Sequence, residues 1–184
     1  MIKHYPGTTI ELSRLHHGCS RSLFDGIFAT GGITLSQVSL MTGLEPYVVQ
    51  NWVKRGFLSS PKKRVYSREQ FARIIIINML KESLQIEKIC GFIKIVGGVL
   101  ELDSDDLISD DELYHRYVDM LSDGMINIGD PESVLDAAEK TAQGFCDDSP
   151  VESKKLVRIL QVMFYAHFAA GLRASANEIL SSLQ

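Results

Sequence analysis

Two short polar signatures fix where helices in this chain can begin: Thr34 with Gln37, and Ser67 with Gln70. In each, the hydroxyl can accept from the backbone amide three residues on, while the glutamine reaches back to the first amide. Between the two signatures, Leu35, Val38 and Met41 recur on one face of a short amphipathic helix. Gly43 suits the left-handed residue that ends such a helix. Glu45-Pro46 restarts one, with proline in the first turn, where its missing N–H is not needed. The spacing therefore predicts two short helices at an angle, joined by a turn of about three residues, a helix-turn-helix.

The second of these helices, expected over Pro46–Arg55, sorts its residues into two faces. Val49, Trp52 and Val53 face the first helix, while Tyr47, Gln50, Asn51 and Lys54 form an outward stripe. Amide side chains can pair with adenine edges, and a lysine can reach guanine or phosphate. A polar outward stripe is also what any surface helix shows, so the next segment matters more. Phe57-Leu58 and Arg64–Tyr66 are expected to form the two strands of a small hairpin, with Ser59–Lys63 as its turn and Lys62, Lys63 and Arg64 at its tip. From Pro46 to Lys81 there are eight Lys or Arg and a single acid, Glu69, in a chain whose formal net charge is −4. Such segregation is the footprint of a face meeting a polyanion. The expected contact set is Ser36 and Gln37 in the first helix, and Tyr47, Gln50, Asn51, Lys54 and Arg55 in the second. Lys62, Lys63, Arg64 and Tyr66 in the wing and Arg68 behind it complete the set.

Residues 33–95 resemble the winged-helix DNA-binding domain of MerR-type regulators. The matching pieces are Thr34–Val38, Thr42-Gly43, Pro46, Lys54–Leu58, Arg64–Ser67 and Leu84–Ile89. Where that type usually carries arginine and tyrosine, this chain has Gln50 and Asn51. A closer similarity is to the domain-of-unknown-function 1836 family of uncharacterised bacterial proteins. It is carried by Val53–Gly56, Pro61–Ser67 and Ser109–Tyr114, over roughly residues 33–126. What the resemblance implies is binding of double-stranded DNA.

The remainder of the chain is read from pattern. Its 184 residues suit one domain or two small ones, and 45% apolar with 23% charged residues suits a globular protein. The opening MIKHYPGTT has no apolar core segment and no long uncharged apolar run follows, so neither a signal peptide nor a membrane span is expected. Three widely spaced cysteines, Cys19, Cys90 and Cys146, suit free thiols in the cytoplasm. Residues 1–32 read as a leader whose short helix, capped by Ser20 or Ser22, lays Leu23, Phe24, Ile27 and Phe28 on the helix-turn-helix. His16-His17 with Cys19 lacks the second ligand pair a zinc site needs, so no metal and no cofactor are expected.

Arg68–Lys81, despite Ile74–Ile77, is expected as a buried helix, and Ile86–Val96 as an amphipathic one ended by Gly97-Gly98. Between Glu101 and Glu152, 16 acids stand against Arg116 and Lys140 alone. Asp103, Asp105 and Asp106 lack the glycine and closing glutamate of a calcium loop. A linker over 102–110 followed by helices with acidic, solvated faces is expected instead. Leu156–Leu172 is apolar nearly all round and needs wrapping or a copy of itself. Met163, Phe164, His167 and Phe168 there are the expected effector or dimer surface.

No phosphate-binding loop, nucleophile elbow or dinucleotide-binding glycine pattern is present, and no enzymatic activity is expected. The expectation is thus a mainly α protein with three parts: the leader 1–32, a winged helix-turn-helix with a small β-hairpin wing over 33–98, and an acidic α-helical domain over 99–184. The expected role is a DNA-binding transcriptional regulator acting as a homodimer, with an effector among its partners. The alternative is a small-molecule-binding or protein-interaction module that does not touch DNA.

Overall fold

The structure is a computed structural model that describes residues 3–96, 107–124, 126–145 and 149–183. Among these the chain is mainly helical: α1 (Cys19–Ile27), α2 (Leu35–Thr42), α3 (Pro46–Lys54), α4 (Arg68–Leu80), α5 (Ile86–Val96), α6 (Asp110–Ser122), α7 (Pro131–Ala142) and α8 (Pro150–Ser182). Two short strands, β1 (Ile33–Thr34) and β2 (Val65–Tyr66), form an antiparallel pair. Both capping boxes form: the Thr34 and Ser67 hydroxyls accept from the Gln37 and Gln70 amides, and each glutamine accepts from its cap residue's N–H. Gly43 closes α2 at φ 70°, and Pro46 opens α3.

The hairpin differs from expectation. Phe57-Leu58 does not form a strand; Val65-Tyr66 pairs with Ile33-Thr34 instead, with Ile33 opposite Tyr66. The physical reason is burial. Leu58, Ile33 and Tyr66 are 2%, 2% and 3% exposed, so Leu58 goes inward as a core side chain. The strand that opens α2 supplies the backbone partners for β2. What remains of the wing is a tight turn at 62–65, set on β2.

Helix α4 is the hub. Its four isoleucines, Ile74–Ile77, are all at most 1% exposed, and full burial of each such side chain is worth roughly 1.5–3 kcal/mol. A helix apolar on every side needs neighbours on every side. Here they are α2, α6 and α8, and a single apolar core runs from α1 through α4 into α6–α8, across the expected boundary at residue 98. The leader is tied into the same core. Gly7, at φ 72°, lies so close to Ile75 that a Cβ there would collide with the Ile75 carbonyl oxygen. Asn78 Nδ2 donates to the Gly7 and Thr42 carbonyls, and Tyr114 Oη donates to the Pro6 carbonyl.

Three further expectations are corrected. Neither Ser20 nor Ser22 caps α1; Gly18 stands at that position, and its N–H donates to Asp119 Oδ1 at 2.7 Å. The α1 face rests chiefly on the aromatic seam of α4 and α6, where Phe24 meets Phe71, Tyr114 and His115 at ring distances of 5.6, 5.6 and 4.8 Å. The acids of α6 are not simply a solvated face either: Asp110 and Asp119 are buried, paired with Arg73 and Arg21. Leu113, Tyr117, Met120 and Leu121 do face inward. The end of α5 at Gly97-Gly98, Asp103, Asp105 and Asp106, and most of the 102–110 linker lie outside the described residues.

Candidate nucleic-acid interface

Three pieces of chain meet here: the start of α2, the outer face of α3 and the turn before β2. In α3, Val49 and Trp52 are buried and hold the helix against the core. That fixes the rotation of the helix and leaves Tyr47, Gln50, Asn51 and Lys54 all exposed, Tyr47 by 69%. The turn is built from Lys62, Lys63, Arg64 and Val65, closed by Val65 N–H donating to the Lys62 carbonyl at 3.0 Å. Its two central residues, Lys63 at φ 51° and Arg64 at φ 65°, both lie in the left-handed region. This is the sign pattern of a type I′ turn, which glycine and asparagine normally occupy. Two consecutive cations in this conformation cost about 1–2 kcal/mol each.

Between α3 and the turn runs a groove of about 630 Å³, lined by Leu35, Gln50, Val53, Lys54, Pro61, Arg64 and Tyr66. Its wall is mixed: an amide and two cations around a floor of apolar side chains. The loop on its far side is anchored by Gln70. While Oε1 of Gln70 caps α4 by accepting from Ser67 N–H, its Nε2 donates to the Ser59 carbonyl at 3.0 Å and to Ser59 Oγ at 2.8 Å. The capping signature was legible in the sequence; this second use of the glutamine was not, because nothing local marks Ser59 as its partner.

The eight cations of the Pro46–Lys81 window divide cleanly. Arg55 pairs with Glu87 and lies over the Phe57 ring, Arg68 pairs with Asp25 and Asp111, Arg73 with Asp110, and Lys81 with Glu82. Lys54, Lys62, Lys63 and Arg64 have no ion-pair partner among the described residues, and all four are exposed. The unpaired charge is therefore concentrated at the C-terminal end of α3 and on the turn.

Of the residues expected to touch nucleic acid, Gln50, Lys54 and Arg64 come together at the groove, with Lys62 and Lys63 beside it. Ser36 and Gln37 are exposed at the start of α2, Gln37 being committed to its capping box. Tyr66 borders the groove but is buried, and its hydroxyl pKa is raised by that burial, so its ring belongs to the core. Arg68 bridges α1 and α6, held there by two carboxylates and the Phe24 ring.

Half of the expected effector or dimer surface on α8 lies in the core. Met163 and Phe164 are fully buried, and Phe168 is half-buried with its ring 4.4 Å from that of Phe164. Facing the α4–α6 side is cheaper than facing water for the largest apolar residues of α8. His167 is hydrogen-bonded: Nδ1 lies 2.7 Å from Tyr117 Oη, and burial lowers its pKa to about 4.

A domain of unknown function, DUF1836, matches this chain over residues 33–117, from β1 to the middle of α6. The matched segment includes the groove, the turn and the Arg73–Asp110 pair. No curated protein matches the chain, and no solved structure does. Among the described residues, no helix is long and apolar enough to cross a membrane.

Proposed function

We propose that this protein binds duplex DNA and regulates transcription, using α2 and α3 as a helix-turn-helix and the 62–65 turn as a short wing. α3 enters a major groove with Tyr47, Gln50, Asn51 and Lys54 toward base edges and phosphates. Lys62, Lys63 and Arg64 reach the neighbouring backbone. The observation that carries this reading is the division of charge. Half of the cations in the basic window are neutralised internally, and the unpaired half stands on one face around Gln50. Four neighbouring exposed cations, two of them on a backbone that disfavours ordinary side chains, make a face suited to a polyanion.

The test is fluorescence anisotropy with labelled random-sequence duplex at low and moderate salt, for the natural chain and for K62A/K63A/R64A. Salt-sensitive binding is expected. In the variant the log–log salt slope should fall by about 0.9 for each phosphate that the protein no longer neutralises. Q50A and N51A should leave random-sequence binding nearly unchanged and alter preference among selected sequences. Absence of binding at low salt overturns the reading.

A further inference from the structure

Helix α8 outruns the protein it belongs to. Its first half is buried against α4, α6 and α7, but every residue from Gly171 to Leu183 is exposed. From that end Arg173 reaches back to Glu82, at 2.7 Å. A helical end of this length, carrying Leu172, Ile179 and Leu183 at 61%, 63% and 77% exposure, is not stable by itself in water.

Most of the exposed apolar residues of this end lie on one stripe, with Leu180, 58% exposed, beside it. Tyr165, Ala169, Leu172, Ala176, Ile179 and Leu183 are all exposed and follow one another at spacings of four, three, four, three and four. That is the seam of a coiled coil, about 27 Å long at 1.5 Å per residue. No residue of the seam is charged. Size alternates along it, with alanine at 169 and 176 and large side chains at 165, 172, 179 and 183.

We infer that this seam pairs with the same seam of a second copy of the chain, antiparallel about a two-fold axis near Ala174. The alternation decides both occupant and direction. With the partner reversed, Ala169 faces Ile179 of the copy, Leu172 faces Ala176, and Tyr165 faces Leu183. The four inner layers then each join a small residue to a large one, as even packing requires, and Tyr165 with Leu183 closes each end. A parallel copy would set alanine against alanine and isoleucine against isoleucine, giving alternating gaps and bulges. The seam is thus complementary to itself under the symmetry of an isologous dimer. Arg173, which flanks the seam beside the axis, is already paired with Glu82 of its own chain, so the two copies do not bring bare like charges together. The surface differs from the one expected from sequence, since Met163 and Phe164 lie on the buried side of the same helix. Pairing of this kind is independent of DNA binding.

Sedimentation equilibrium on the full chain tests it. The natural protein should be a dimer at micromolar concentration. L172D/I179D should raise the dissociation constant at least a hundredfold with an unchanged near-ultraviolet circular dichroism spectrum, while L40D, at an equally exposed leucine elsewhere, should leave the dimer intact. For orientation, cysteines are placed in a chain carrying C90S and C146S. A169C/I179C should oxidise to a crosslinked dimer, and neither single cysteine should crosslink. A natural chain that stays monomeric, a dimer that survives L172D/I179D, or crosslinking by I179C alone overturns the inference.

Discussion

Gln70 Nε2 donates to the Ser59 carbonyl at 3.0 Å, joining the first turn of α4 to the loop that leads into the cationic turn. The same carboxamide caps α4 through its oxygen, so helix start and loop position are set by one side chain. Substitution by glutamate separates the two roles. Glu at this position keeps an acceptor for the Ser67 amide but cannot donate to Ser59, and it sets a carboxylate against that carbonyl. Q70E is expected to leave the thermal midpoint within a few degrees while lowering DNA affinity several-fold, because the turn loses its anchor. Q70A, which loses both roles, should cost about 1 kcal/mol of stability as well. Denaturation and anisotropy run on both variants check this; equal affinity for Q70E and the natural chain would show that the loop position does not matter to binding.

Arg73 and Asp110 make a buried ion pair between the hub helix and the start of α6, with exposures of 8% and 3%. Removing one partner leaves a charge in the core, a change that typically costs about 3–5 kcal/mol. R73M and D110L should each lose stability in that range. The double variant should recover a large part of the loss, since two apolar side chains of similar volume remove both buried charges together. Urea melts of the three proteins measure the coupling directly, and simple additivity would contradict it.

The turn at Lys63-Arg64 predicts a conflict between stability and binding. Asparagine and glycine adopt its left-handed conformation with little strain, so K63N/R64G should gain about 1 kcal/mol or more against urea. The same change removes two unpaired cations and should weaken DNA binding with a salt slope smaller by nearly 2. Opposite movement of the two measurements is the expected signature. A variant that is both less stable and equally tight would refute the account of the turn.

How much of this was legible in the chain follows from which signals are local. Thr34–Gln37 and Ser67–Gln70 marked helix starts because capping depends on residues three apart, and Val49 with Trp52 marked the buried face of α3 because helical spacing repeats. The partner of Val65-Tyr66 was not legible: a two-residue strand has no period, and Ile33 lies far upstream. Asp110 and Asp119 read as solvated because a sequence shows charges without their partners, and Arg73 and Arg21 come from distant helices. In α8 an apolar residue stands on every side, so Met163 and Tyr165 could not be sorted until α4 and α6 were in place.

Two histidines, one buried and one half-buried, make the fold sensitive to mild acid. His115 is 2% exposed with Nδ1 2.9 Å from Ser20 Oγ; burial, aided by Arg21 and Arg68, lowers its pKa to about 4 against the pull of Asp111 and Glu112. His167 is lowered to about 4 by burial, beside Tyr117. In the unfolded chain both would titrate near 6.5. Between those values the unfolded state binds protons that the folded state does not, so stability is complete above about pH 6.5 and declines as the pH falls toward 4. H115Q and H167Q should each flatten this decline. The larger effect is expected from His115, where the shift corresponds to at most about 3 kcal/mol; partial exposure of His167 reduces its share. The readout is the slope of unfolding free energy against pH from 7 to 4.5, which is insensitive to any constant loss caused by the substitution itself. A slope unchanged in both variants would refute the assignment of the acid sensitivity to these two histidines.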